Sequence, residues 1–226
     1  MIRRFVAFLA AFVCLAAPAI AKPRNWSAVV TATPGGGYLV GNPKAPVKVI
    51  EYFSLTCPHC RHFAETGLAP LKANYVAKGR VSLELRTFVL NAPDLTAALL
   101  VHCAAPAKAA QLSEQVLADQ PGLFDPVFKM SADAQARIQS VPDAQKASVL
   151  ARETGIDKWF IAKGLAPKAV AACLADPAGQ ERLLAIRADG VKNYEVPGTP
   201  SFVVNGKRIE GVTWDVLEAA IKAAGS

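Results

Sequence analysis

The chain has only three histidines, two methionines and five cysteines in 226 residues, and charged side chains make up 19% of it. So few thiols exclude a cysteine-dense miniprotein, and this length buries a core without staples. No run of four Lys or Arg occurs and no basic stretch is interleaved with aromatics, so the formal charge of +7 does not describe a nucleic-acid face. Gly35-Gly36-Gly37 is not followed by Gly-Lys-Ser/Thr, which excludes a phosphate loop there. No internal repeat is visible, and past the N-terminus no run is long and apolar enough to cross a bilayer. A disordered chain, a collagen and a polytopic membrane protein are excluded by the same composition.

What is present is unevenly placed. Hydrophobic residues make up 52% of the chain, and 18 of residues 1–21 are apolar, against about 49% of the remainder. Arg3 and Arg4 form a positive start, Phe5 to Leu15 an apolar centre, and Ala19-Ile20-Ala21 a small-x-small cleavage pattern. Residues 1–21 are therefore expected to be a signal peptide cleaved after Ala21. An uncleaved anchor is the rival, but Phe5 to Ala21 contains Pro18 and is short for a span. Export leads to an oxidising compartment where disulfides persist. Cys14 would leave with the signal, so four cysteines remain, with 23 basic and 18 acidic residues.

Lys22 to Ala45, rich in Gly, Pro and Thr, predicts an extended entry segment with one edge strand. Val47 to Phe53 is a β-branched and aromatic run expected to be a buried strand. A helix is predicted to start at Cys57, with Pro58 in its first turn, and to run toward Asn74 with a break near Pro70. Val81 to Leu90 alternates as a second strand. From residue 92 to 193 the chain is alanine-rich and punctuated by Pro93, Pro142, Pro167 and Asp176-Pro177, the pattern of several short helices. Ser201 to Val204 and Lys207 to Glu210 are joined by Asn205-Gly206, a strong hairpin signal, before a last helix from Trp214. The fold class is α/β, a small mixed sheet interrupted by a helical insertion.

Cys57-Pro58-His59-Cys60 stands where strand passes into helix. The first sulfur of such a motif faces unpaired backbone N–H groups and the positive end of the helix dipole, which favour thiolate over thiol. A sulfur so stabilised is also a better leaving group, so its disulfide is more oxidising. His59 offers a cationic or hydrogen-bonding stabiliser. A structural bridge across so short a loop constrains little chain. A metal held by Cys57, His59, Cys60 and His62 would need four ligands from six residues, which rarely reach one tetrahedral ion. No cofactor is expected beyond the redox-active disulfide Cys57–Cys60, and no metal. Cys103 and Cys173 form an even pair in the helical block; if bridged they close a loop of about 70 residues, worth roughly 4 kcal/mol in the chain-entropy model.

The stretch Glu51 to Cys60, together with Val196-Pro197-Gly198-Thr199-Pro200-Ser201-Phe202-Val203-Val204-Asn205-Gly206, resembles the DsbA family of bacterial envelope thiol:disulfide oxidoreductases. The resemblance implies a thioredoxin fold with a helical domain inserted between its βαβ and ββα halves. It divides the chain into 22–91, the first part of that domain; 92–193, the inserted helical subdomain; and 194–226, the second part. It further implies that Cys57 is the nucleophile forming the mixed disulfide, Cys60 its buried resolving partner and Pro200 a cis-proline. Thr199 would offer its backbone to a substrate strand, and Glu51 would be a buried acid relaying the Cys60 proton, an exposed strand-edge glutamate being the alternative. A Cys103–Cys173 bridge departs from the best-known members.

The expected activity is that of a monomeric periplasmic oxidase that passes the Cys57–Cys60 disulfide to reduced or unfolded exported proteins and is reoxidised by a membrane partner of the DsbB type. Pro58-His59, as in the strongly oxidising members, points that way. Thr199 before Pro200 pulls toward an isomerase or reductase of the same fold. A periplasmic metal-binding module and a chaperone-like adaptor are the alternatives from other classes.

Overall fold

The computed structural model describes residues 24–225. The signal peptide expected over residues 1–21, its cleavage after Ala21 and the departing Cys14 lie outside the described residues.

The centre of the molecule is β3 (Val47–Phe53), whose Val47, Val49, Tyr52 and Phe53 are all buried. It pairs in parallel with β4 (Val81–Thr87) and antiparallel with β5 (Ser201–Val204). With β1 (Val30–Ala32), β2 (Tyr38–Gly41) and β6 (Lys207–Arg208) the six strands run in the order β1-β2-β4-β3-β5-β6. A parallel neighbour needs a crossover, and α1 (Pro58–Thr66), α2 (Leu68–Leu71) and a π turn over Lys72–Val76 supply it. Asn205 and Gly206 turn β5 into β6 with φ of 47° and 82°, the left-handed pair a two-residue hairpin requires.

Three local expectations are corrected. The entry segment holds a hairpin, not one edge strand, because Tyr38 and Val40 alternate inward and β2 finds an open edge on β4. The first helix breaks at Gly67 and not at Pro70. A Cβ at Gly67 would stand 2.5 Å from the Phe63 ring, so the chain packs that ring against a bare backbone and restarts at Leu68. Pro70 then falls in the new first turn, where no N–H is needed. The strand from Val81 ends at Thr87, short of Leu90.

Eight helices fill Ala92 to Tyr194: α3 (Ala92–His102), α4 (Pro106–Ala118), α5 (Gln120–Phe128), α6 (Ala132–Gln139), α7 (Asp143–Thr154), α8 (Ile156–Ala162), α9 (Pro167–Leu174) and α10 (Pro177–Tyr194). The last helix is α11 (Trp214–Ala223), with Leu217 and Ile221 on its buried side. Sheet and helical block share one continuous core running from Val49, Phe63 and Phe202 to Leu99, Leu112 and Phe160. A polar knot binds them as well. The Tyr52 hydroxyl donates to Asp189 of α10 at 2.7 Å, while Arg86 donates to Asp189 at 2.6 Å and to Glu84 at 2.8 Å. The mixed sheet with helices on it and a large helical insertion is the arrangement the sequence led us to expect.

Candidate active site

β3 delivers the chain to a turn at Ser54–Thr56, and α1 starts at Pro58 with Cys57 as its N-cap. Pro58 is tolerated because an N–H at that position has no helical acceptor. The geometry splits the two sulfurs. Both are free thiols in this structure, Cys57 at the lip of the site and Cys60 one turn deeper with no exposure. Cys57 Sγ donates to the Thr199 carbonyl at 3.1 Å, and the Ser54 N–H points at Cys60 Sγ from 3.4 Å. The Thr199–Pro200 bond is cis, Pro200 is buried, and Thr199 Oγ1 is buried without a hydrogen-bond partner.

The Cys57 thiol is lowered to about 5. The Cys60 thiol, donating to the Cys57 sulfur, is the main cause; burial opposes it, and the backbone N–H groups of Cys60 and His59 add in the same direction. Cys60 moves the other way: burial, the hydrogen bond with Cys57 and the charge on Glu51 hold its proton on. Pro58 and His59 are exposed, and among the described residues no hydrogen bond joins the His59 ring to either sulfur. His59 contributes through its main chain.

Glu51 lies in the middle of β3, 4% exposed, with Leu85 and Phe202 as its apolar register partners. Burial, and secondarily the charge of Glu114, raise its carboxyl to about 8. A cavity of about 10 Å³ is lined by Glu51, Ser113 and Glu114 together with apolar side chains, room for about one water. Glu114 on α4 continues outward to Lys72, at 2.8 Å.

Two site residues were not foreseen in the sequence. Asp94, fully buried at the start of α3, accepts from Ser54 Oγ at 2.6 Å and from the Leu55 N–H at 3.0 Å. Gln120, opening α5, donates from Nε2 to the Leu55 carbonyl at 2.8 Å and the Cys57 carbonyl at 3.0 Å. The helical block thus grips the turn ahead of Cys57 from both sides. Asn91 caps α3 and places Asp94 in its first turn, so in sequence Asp94 reads as an ordinary helix-start acid. Beside the same turn a cleft of about 260 Å³ runs from Thr56 and Pro58 to Phe124 and Phe128, the latter 84% exposed.

Away from this centre Cys103 and Cys173 form a disulfide joining the end of α3 to α9. His102, at the end of α3, turns toward β4: its Nε2 is 3.0 Å from Thr87 Oγ1 and its ring lies against Tyr38. Burial lowers it to about 4. Among the described residues no group of three or more His, Cys, Asp or Glu could hold a metal, and no helix is long and apolar enough to cross a membrane.

A family model described as thioredoxin matches residues 33–223. A Rickettsia bellii protein named "Putative protein-disulfide oxidoreductase" is 28% identical over 186 residues, 82% of this chain and 63% of that protein. The chain spans about three-fifths of the length of the curated relatives it matches along most of its own length. The crystal structure of protein-disulfide isomerase from Novosphingobium aromaticivorans is similar with a TM-score of 0.77 at 28% identity, covering 83% of this chain and 97% of that one. Wolbachia pipientis alpha-DsbA1 shares the fold with a TM-score of 0.64 at 20% identity, covering 85% and 92%.

Proposed function

The chain belongs to the thioredoxin family, in the DsbA-like form of its fold, and on that footing we propose that it is a thiol:disulfide oxidoreductase acting on exported proteins through Cys57. The observation that carries the reading is the division between the two sulfurs, Cys57 activated at the lip and Cys60 sealed beneath it.

In the oxidised enzyme a substrate thiolate attacks Cys57 Sγ, the Cys57–Cys60 bond breaks, and Cys60 leaves as a thiolate. Glu51, holding its proton near neutral pH and close enough for its charge to act on Cys60, supplies that proton to the leaving sulfur. A second substrate thiolate then attacks the substrate sulfur of the mixed disulfide, and Cys57 leaves as a stabilised thiolate. Two electrons pass from substrate to enzyme and the substrate gains the disulfide. The Thr199 carbonyl accepts from Cys57 only while Cys57 is a thiol; with Cys57 in a disulfide or ionised it is open to pair with an extended substrate strand. The cleft beside Phe128 suits the apolar segments of an unfolded chain. Reoxidation by a membrane partner of the DsbB type, a periplasmic location and a monomeric state complete this reading.

A second reading, disulfide isomerase, is favoured by the likeness to the Novosphingobium structure. Reduced and scrambled ribonuclease, offered separately to the purified protein, decide between them. Fast oxidation of the reduced form with weak rescue of the scrambled one is expected. Efficient rescue with slow oxidation would replace oxidase by isomerase, and neither reaction would end both readings.

A further inference from the structure

Asp94 has no task in the exchange just described, yet it is fully buried and bonded to the turn that leads into Cys57. Its partners are neutral: Ser54 Oγ at 2.6 Å, the Leu55 N–H at 3.0 Å and the Leu90 N–H at 2.9 Å. It makes no ion pair among the described residues. Around it, the turn at 54–57 brings one titratable group, Cys57; residues 90 and 91 bring Leu90 and Asn91; α5 brings the uncharged Gln120; and His102 sits at the far end of its own helix. The start of α3 favours an anion there. Burial is the main influence against that anion, and a thiolate on Cys57 adds to it, because like charges raise each other's energy.

Ser54 gives the pocket somewhere to put a proton. Its hydroxyl now donates to Asp94, but it also has Thr56 Oγ1 at 3.1 Å as an alternative partner. If Asp94 is protonated, Ser54 turns toward Thr56 and accepts from Asp94, so no buried group loses its bond. A main-chain donor could not reverse in this way.

We propose that Asp94 is a proton-coupled positioning residue: when the Cys57–Cys60 disulfide is reduced, Asp94 takes up a proton as Cys57 becomes a thiolate. The inference rests on the oxidoreductase reading above. The disulfide, the Asp94 carboxylate, two electrons and two protons give the Cys57 thiolate, the Cys60 thiol and the Asp94 carboxylic acid. A substrate dithiol supplies both electrons and both protons, so none is released to solvent. Without Asp94 one proton is released, and reduction becomes tenfold more favourable for each pH unit of rise.

The test is the equilibrium between the oxidised protein and glutathione, followed against pH. For the wild type the equilibrium constant should change by clearly less than tenfold per pH unit from about pH 6 to about 7, above the Cys57 value of about 5 and beside the Asp94 value of about 6. Asp94→Asn should restore the tenfold dependence and move the Cys57 thiolate, read by its ultraviolet absorbance, to lower pH; Asp94→Glu should recover the shallow profile. Identical slopes for wild type and Asp94→Asn would overturn the inference. Should Asp94→Asn fail to fold, redox-difference infrared spectra of wild type labelled with carbon-13 aspartate replace it. A protonated aspartic acid band appearing on reduction near pH 6 is expected, and its absence refutes the coupling. A wild type that does not exchange with glutathione at all would strike the oxidoreductase reading instead.

Discussion

Replacing Glu51 by Gln should stabilise the protein at neutral pH while slowing its chemistry. The carboxyl sits at about 8 in the folded protein against 4.5 in a solvated chain, chiefly through burial. Below the lower value both states hold the proton and Glu51 costs no pH-dependent stability. As pH rises the unfolded chain releases its proton first, so the folded state loses about 1.4 kcal/mol per pH unit until the folded carboxyl ionises. At pH 7 the accumulated loss is about 3 kcal/mol, levelling at roughly 5 kcal/mol above the folded value. Glu51→Gln keeps the shape and removes the titration. Denaturant unfolding of the oxidised proteins, in which neither Cys57 nor Cys60 titrates, isolates the effect because the raised value comes from burial and Glu114 and not from the cysteines. The variant should match wild type near pH 4 and exceed it by about 3 kcal/mol at pH 7, with formation of the mixed disulfide slowed because Cys60 leaves without its proton donor. Stability curves that stay parallel across this pH range would refute the reasoning, since they would mean that Glu51 ionises as easily inside the protein as outside.

The pH dependence of alkylation at Cys57 in the reduced protein should follow a thiolate with a midpoint of about 5, with Cys60 unreactive throughout; a midpoint near that of an ordinary thiol would remove the activated sulfur. In the reduced form this lowered value contributes stability that is complete above the ordinary thiol value of 9.0 and drains away as pH falls toward about 5. Gln120→Ala leaves the Leu55 and Cys57 carbonyls without their donor and should cost about 1–3 kcal/mol in denaturant unfolding, with altered Cys57 reactivity; an unchanged midpoint would show that water replaces the amide. Replacing Cys103 and Cys173 together by Ala opens a loop of 70 residues and should cost about 4 kcal/mol in the same assay while leaving Cys57 alkylation unchanged.

The strand at Val47–Phe53 and the hairpin at Asn205-Gly206 were legible because each rests on contiguous residues, a β-branched run in one case and two left-handed positions in the other. The break at Gly67 was not, since it depends on where the Phe63 ring lies and not on which residue is a poor helix former. The entry hairpin was hidden by its own Gly and Pro content; its second strand exists because β4 presents an edge to it. At the site the same division holds. Asp94 reaches Ser54 across 40 residues and Gln120 reaches Leu55 across 65, and nothing local to either distinguishes it from a helix-start residue. Glu114 likewise reads as one more charge on an amphipathic helix until the small cavity joins it to Glu51.

Taken alone, the sequence determined the chemistry: a Cys-X-X-Cys motif at a strand-to-helix junction can favour a thiolate wherever it occurs, because the unpaired N–H groups of a helix start come with the motif itself. Tertiary structure decided how that sulfur is set. The Thr199 carbonyl arrives at Cys57 from 142 residues away, Glu51 is raised by the apolar strands on either side and by Glu114, and the turn is fixed by Asp94 and Gln120 from the helical block. Burial and long-range contact are properties of the packed chain, and no run of neighbouring residues encodes them.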